Sequence, residues 1–227
     1  MRALGDIAND RNLYVIMDAA YARMCYGTAR NPSVLEHIDR SFVVHSHSKD
    51  LGLAGERLGF VLINPTMPEV ENVRAALIMM NRSLGFVNAP ALMQRALPYM
   101  IDAAVDIDTY RDRVLFLGTE LTHIGYTLDI PKAGFFLWVK VPGNEHIPDR
   151  DAAFCTQLAK DGVLTVPGSG FGYPGYMRIA CCVNQQKLHQ SVPIFARAFE
   201  QSSTHNPASG TPTIVRKPDV ISTEDST

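Results

Sequence analysis

Three short apolar runs mark the early part of the chain. Residues 13–17 (Leu-Tyr-Val-Ile-Met) end at Asp18, residues 42–45 (Phe-Val-Val-His) end at Ser46, and residues 58–63 (Leu-Gly-Phe-Val-Leu-Ile) are closed by Asn64 and Pro65. Runs of this length with polar flanks fit strands of a mostly parallel sheet buried on both faces. Ligands of open α/β sheets bind beyond the carboxyl ends of the strands. Asp18 and residues 46–49 therefore stand where chemistry is expected. Ahead of them, residues 1–10 have the spacing of an amphipathic helix, with Leu4, Ile7 and Ala8 on one side.

The pattern then turns helical. Thr66 is placed to cap a helix running to about Met80, with Pro68 in its first turn and Glu69 set for a capping box. Pro90 opens a second helix and Pro98 ends or kinks it. Between Asp106 and Ile124 one stripe carries Ile107, Tyr110, Val114, Leu117, Leu121 and Ile124, and Gly125 follows as a C-cap. Beyond it the texture changes. Residues 135–141 are β-rich, residues 149–160 form a short helix stopped by Gly162, and residues 163–166 and 176–182 read as strands. Asn184 caps a last helix ending near Phe199.

The expected organisation is an α/β region over residues 1–105 and a C-terminal α+β module over residues 106–200. A Ser-, Thr- and Pro-rich tail over residues 201–227 is expected to be disordered.

Composition narrows the function classes. The chain is 46% hydrophobic and 19% charged with a net charge of −2, and it has no basic run, so neither nucleic acid nor a membrane surface is an expected partner. No stretch has the apolar length of a membrane span or a signal peptide, which suggests a cytoplasmic protein. Cys25, Cys155, Cys181 and Cys182 form no C-x-x-C pair and read as reduced thiols. His45 and His47 lie on one face of their strand, but no carboxylate stands at obvious ligand spacing, so no metal site is expected.

The chemistry concentrates in Ser46-His47-Ser48-Lys49-Asp50-Leu51-Gly52 and the Gly55-Glu56-Arg57-Leu58-Gly59 segment that follows. A lysine just past a strand end can form a Schiff base with a carbonyl held near it. The serine hydroxyls, and an arginine eight residues beyond the lysine, can hold a phosphate. Upstream, Asp18 and Tyr21 are spaced D-x-x-Y. A carboxylate below a pyridine nitrogen keeps that ring protonated, and a phenol can tune its oxygen. Taken singly, each element also fits a plainer role: a solvated loop lysine, a capping aspartate, a packing tyrosine.

The ordered set is more informative. D-x-x-Y, S-x-S-K and G-x-R-x-G are followed by Gly134-Phe135-Phe136, by residues 166–172 (Val-Pro-Gly-Ser-Gly-Phe-Gly) and by Tyr176-Met177-Arg178-Ile179-Ala180. In this order they resemble the fold-type-I, aspartate-aminotransferase-like enzymes, over residues 1 to about 200. The resemblance implies part of the large domain that binds pyridoxal 5'-phosphate, then the small domain. It implies that Lys49 carries the cofactor as a Schiff base, that Asp18 pairs with the pyridine nitrogen and that Tyr21 donates to the ring oxygen. Ser46, Ser48 and Arg57 would hold the phosphate, and Arg178 would grip the substrate α-carboxylate.

The implied reaction is ping-pong transamination between an L-amino acid and a 2-oxo acid, in an enzyme that is a homodimer when complete. Arg82 is a further candidate, for a side-chain carboxylate; a solvated arginine is the plainer reading. Trp138 is expected to pack, and residues 167–170 to form a turn near substrate. The family's first half, with its Asn-Pro turn and glycine-rich phosphate grip, is not in this sequence, which therefore reads as a fragment. The motifs are shared machinery, so β-lyase or decarboxylase chemistry with the same cofactor is an alternative. A fragment acting only as a binding or assembly module is another.

Overall fold

A computed structural model describes residues 1–204, and residues 205–227 of the expected tail lie outside the described residues. Helix α1 (Arg2–Asp10) leads into strand β1 (Val15–Asp18). Strand β2 (Ser41–Ser46), the single turn α2 (His47–Asp50) and strand β3 (Gly59–Ile63) follow. β2 is the central strand: β1 pairs with it in parallel, setting Asp18 opposite Val44, and β3 pairs with it antiparallel, setting Ser46 opposite Gly59. The α/β character is as expected, but the third run turns back against the second. At the crossing only glycine fits, because a Cβ on Gly59 would come within 2.4 Å of the His45 carbonyl oxygen.

Helix α1 forms where expected but buries a different face. Gly5 and Ala8 are buried while Leu4 and Ile7 are exposed. The cause is close approach: a Cβ on Gly5 would stand 2.5 Å from the His37 carbonyl oxygen, so the helix docks on its smallest residues. Thr66 does not cap a helix either. Its N–H and hydroxyl both donate to Asn64 Oδ1, and helix α3 (Val70–Ser83) starts later, after Glu69 in a left-handed conformation. Helix α4 (Ala91–Ala96) begins after Pro90 and gives way to a 3-10 turn around Pro98.

The C-terminal module is built on helix α5 (Ile107–Ile124), capped by Asp106, whose side chain accepts from the Thr109 N–H, and ended by Gly125 at φ 118°. Strand β4 (Phe136–Lys140), helix α6 (Arg150–Lys160), strand β5 (Val166–Pro167), strand β6 (Tyr176–Ala180) and helix α7 (Gln185–Thr204) complete it. α7 continues through Thr204, so the first four residues assigned to the tail are helical. The sheet order is β4-β6-β5, all antiparallel. Val114, Leu117 and Leu121 of α5 pack with Leu137, Val139, Leu158, Met177, Ile179 and Phe195. The buried Tyr126 hydroxyl donates to the Phe195 carbonyl at 3.0 Å.

Burial is uneven. The second core is dense, whereas β3 and α3 show apolar side chains at the surface, among them Phe60, Leu62, Ile78 and Met79. Large apolar side chains exposed in this number are more than scattered surface residues would give. The two regions are joined by the segment after β1. Met24 is fully buried in the second core. The Tyr26 N–H donates to the Lys132 carbonyl at 2.8 Å, and the Gly134 N–H donates to the Met24 carbonyl at 3.0 Å.

This packing has a measurable consequence. Leu137 has no exposed surface, so Leu137→Ala is expected to lower stability by about 2–5 kcal/mol in urea denaturation. Leu92 is 76% exposed, and Leu92→Ala is expected to change stability by no more than about 0.5 kcal/mol.

Candidate active site

The strand ends and one aromatic pair assemble the site. Phe135 and Phe136 lie at the start of β4, with ring centroids 4.8 Å apart. The Tyr21 ring meets them edge-on, at 5.6 Å from Phe135 and 6.0 Å from Phe136. Lys49 Nζ lies over Phe135 at 5.6 Å, and the Arg178 guanidinium lies over Phe136 at 4.3 Å and over Phe171 at 4.7 Å. An amine from the first region and a guanidinium from the second thus share neighbouring rings with one phenol. Gly134, at φ 75°, lets the chain turn directly beside Tyr21, where an added Cβ would meet the ring at 3.5 Å.

Asp18 sits at the exposed end of β1, its Oδ1 accepting from the Ala20 N–H at 3.0 Å. It is close enough to act on Tyr21. Burial raises the Tyr21 phenol above its ordinary value, Arg178 opposes the rise, and Asp18 and Cys182 add to it. Tyr21 therefore keeps its proton at neutral pH and remains a donor. Ser46 ends β2 and caps α2; its oxygen accepts from the Ser48 N–H at 3.3 Å, and its hydroxyl donates to Ser48 Oγ at 2.8 Å.

Two candidates stand apart. Arg57 is exposed, in a left-handed conformation at φ 54°, and donates to the Ala54 carbonyl at 2.8 Å rather than to either serine. Arg82 is exposed in the last turn of α3 and contacts none of these residues. Trp138 stacks on Tyr176 at 5.9 Å with its edge toward Phe171, a packing arrangement beside Arg178.

The residue that the sequence pattern does not single out is Asp50. α2 is one helical turn, so residue 50 returns to residue 47, and the carboxylate reaches both histidines. Asp50 Oδ2 is 3.2 Å from His45 Nε2, 3.3 Å from His47 Nδ1 and 3.2 Å from Arg23 Nη1, with its side chain fully buried. The expectation that no carboxylate lies near these histidines is thus corrected; the i,i+3 spacing from His47 is the signal that could have found it. The three side chains have the donor types of a metal centre. Arg23, however, already brings a positive charge to the shared oxygen. Burial would raise the Asp50 carboxyl, but hydrogen bonds and charge from His45 and His47 outweigh it and hold it below the ordinary value.

Residues 1–193 match the profile of the family described as aminotransferase class I and II. The chain belongs to that family. Its cofactor is pyridoxal phosphate. The chain is 26% identical over 197 residues to the aspartate aminotransferase of Thermotoga maritima, covering 85% of this chain and 49% of that protein. It is 30% identical over 194 residues to the LL-diaminopimelate aminotransferase of Syntrophobacter fumaroxidans, covering 82% and 48%. Among solved structures, an aminotransferase from Eubacterium rectale superposes with a TM-score of 0.82 at 30% identity, covering 88% of this chain and 51% of that one. The chain thus spans about half the length of the relatives it matches. Among the described residues, no helix is long and apolar enough to cross a membrane.

The donor set fits the cofactor. By chemical type, a primary amine suits its aldehyde, a carboxylate its ring nitrogen, a phenol its ring oxygen and two paired hydroxyls its phosphate, while the Arg57 guanidinium is turned to the Ala54 carbonyl and is not gathered with them.

Asp50 sets the pH behaviour of this region. Its folded carboxyl is lowered, so the stability it contributes is present above the unfolded carboxylate value of about 3.9 and is lost as pH falls through the folded value. Denaturation midpoints of wild type and Asp50→Asn are expected to differ above about pH 5 and to converge on acidification below about pH 4.

Proposed function

We propose that the complete protein transfers an amino group between an L-amino acid and a 2-oxo acid, with Lys49 as the lysine that binds pyridoxal phosphate. The supporting observation is the convergence of Lys49, Tyr21 and Arg178 on the Phe135–Phe136 pair. The names of the relatives agree with it.

The cofactor, when bound, supplies an electron sink for negative charge at the substrate α-carbon. Lys49 would hold it through its side-chain amine, and the same amine, when free, would serve as the base for the substrate α-proton. Asp18 offers a carboxylate to the ring nitrogen. Tyr21 donates to the ring oxygen, which its raised phenol value favours. Ser46 and Ser48 hold the phosphate, joined by Arg57 when its side chain leaves the Ala54 carbonyl. Arg178 grips the α-carboxylate as a planar fork, which fixes the substrate for deprotonation. As in the family, the complete enzyme acts as a homodimer.

The test uses the complete protein loaded with pyridoxal phosphate and one amino acid. The expected result is one equivalent of 2-oxo acid per site, with the cofactor left in its amine form until a second 2-oxo acid is added. Release of pyruvate and ammonia without an acceptor would instead establish lyase chemistry. Lys49→Ala is expected to slow the half-reaction at least about a hundredfold. Arg178→Lys is expected to raise KM for the amino acid about tenfold to a hundredfold, through loss of a bidentate charged contact.

A further inference from the structure

Asp50 joins four parts of the chain. Its carboxylate takes contacts from His45 on β2, His47 on α2 and Arg23 in the loop after β1. Arg23 extends its other arm, Nη2, to the Ala103 carbonyl at 2.9 Å. The Val105 N–H donates to the Asp50 backbone carbonyl at 2.8 Å, just before α5. His45 turns its second nitrogen, Nδ1, to the Ala19 carbonyl at 3.1 Å. The loop that carries Tyr21 is therefore pinned two residues to either side of it, at Ala19 through His45 and at Arg23 directly. Both pins end on the residue next to Lys49.

We propose that Asp50 is a positioning residue, holding the turn that carries the Lys49 amine in register with the loop that carries the Tyr21 hydroxyl. The proposal rests on the reading of Lys49 as the cofactor lysine. Asp50 meets neither cofactor nor substrate: its Oδ2 is engaged by three side chains, and its Oδ1 is buried. A carboxylate suits the place because it alone among side chains of this size accepts from an imidazole pair and a guanidinium on one oxygen. Asparagine has the same shape but would turn at most one neutral carbonyl toward those donors. Arg23 gives a second handle. Its side chain is 35% exposed, so its replacement leaves the buried pair of histidines on Asp50 and tests the pin without emptying the core.

The experiment measures where pyridoxal phosphate attaches. The chain is mixed with limiting cofactor, reduced with borohydride and digested, and label on Lys49 is counted against label on the exposed Lys160. Asp50→Asn and Arg23→Gln are each expected to lower the Lys49-to-Lys160 ratio about tenfold, the scale of a small misplacement of a reacting group. Arg23→Lys, which keeps the charge but not the second arm, is expected to recover part of it. Leu137→Ala, which weakens the distant core, is expected to leave the ratio unchanged. In parallel, hydrogen exchange on Arg23→Gln is expected to speed up in residues 19–24 and 47–53 together.

A wild-type chain with no preference for Lys49 would overturn the reading of Lys49, and the proposal with it. A wild-type preference that Asp50→Asn and Arg23→Gln leave intact, or that Leu137→Ala lowers equally, would overturn the positioning role alone. So would unchanged exchange in the two segments.

Discussion

One short backbone pairing holds the site together. Between residues 24–26 and 132–134, two hydrogen bonds set Cys25 opposite Ala133 in an antiparallel pairing and bind the loop after β1 to the entry of β4. Lys49 belongs to the first sheet region and Arg178 to the second, so nothing in the local sequence of either places it near the other. The pairing does so by geometry. It brings Gly134 against Tyr21 and sets the next two residues, Phe135 and Phe136, where Lys49 and Arg178 rest on their rings. Met24, fully buried, anchors the same loop in the C-terminal core. Burial there stabilises the loop that also carries Tyr21, so packing energy in one module is spent on geometry in the other.

The two regions differ in how they are stabilised. The C-terminal module buries facing residues from α5, α7 and its sheet, and closes its core with satisfied groups such as the Tyr126 hydroxyl. The first region has only a small buried cluster, Ala8, Val34 and Ile38, below its sheet. Polar links take a larger share there. Asn64 reaches the Leu35 and Ile38 carbonyls, and Asp50 gathers Arg23, His45 and His47. Such links are directional, so they fix the orientation of α2 and the β1 loop even where apolar burial is thin. β3 and α3 leave apolar side chains exposed, as the dense C-terminal core does not.

Strand ends and helix limits were legible because they depend on local chemistry. The runs ending at Asp18 and Ser46 are apolar up to the residue where the strand stops, and Gly125 and Pro90 act within one or two residues of themselves. The misplaced features depend on distant neighbours. Which face of α1 is buried follows from contact with His37, which its own periodicity does not contain. The reversed direction of β3 is set by its pairing with β2 after the chain returns over residues 47–58, a stretch that includes Arg57 at positive φ, which is uncommon for a residue with a side chain. Thr66 looked like a cap until Asn64 claimed its donors. Asp50 was hidden for another reason. Strand periodicity relates His45 to His47 but not to Asp50, which one helical turn brings back to them. The aromatic pair at 135–136 was part of the recognised motif, but its role as a shared platform needed the fold.

The contrast between Asp50 and Asp18 carries the last step. Asp50 is buried and already paired with Arg23, His45 and His47. Asp18 is exposed, with one oxygen on a neighbouring N–H. Opposite unit charges 4 Å apart attract by about 1 kcal/mol in water and about 4 kcal/mol at the effective dielectric of about 20 typical near a protein surface. On the proposed reading, Asp18 must hold a protonated ring nitrogen, and in open water that grip is weak. It strengthens when the cofactor and a covering surface exclude solvent. The chain spans about half the length of the relatives it matches, and β3 and α3 carry exposed apolar side chains. On that reading, and on the proposed role of Asp50, positioning rests on Asp50 and the 24–134 pairing, while the electrostatic strength of the site rests on how far solvent is kept from Asp18.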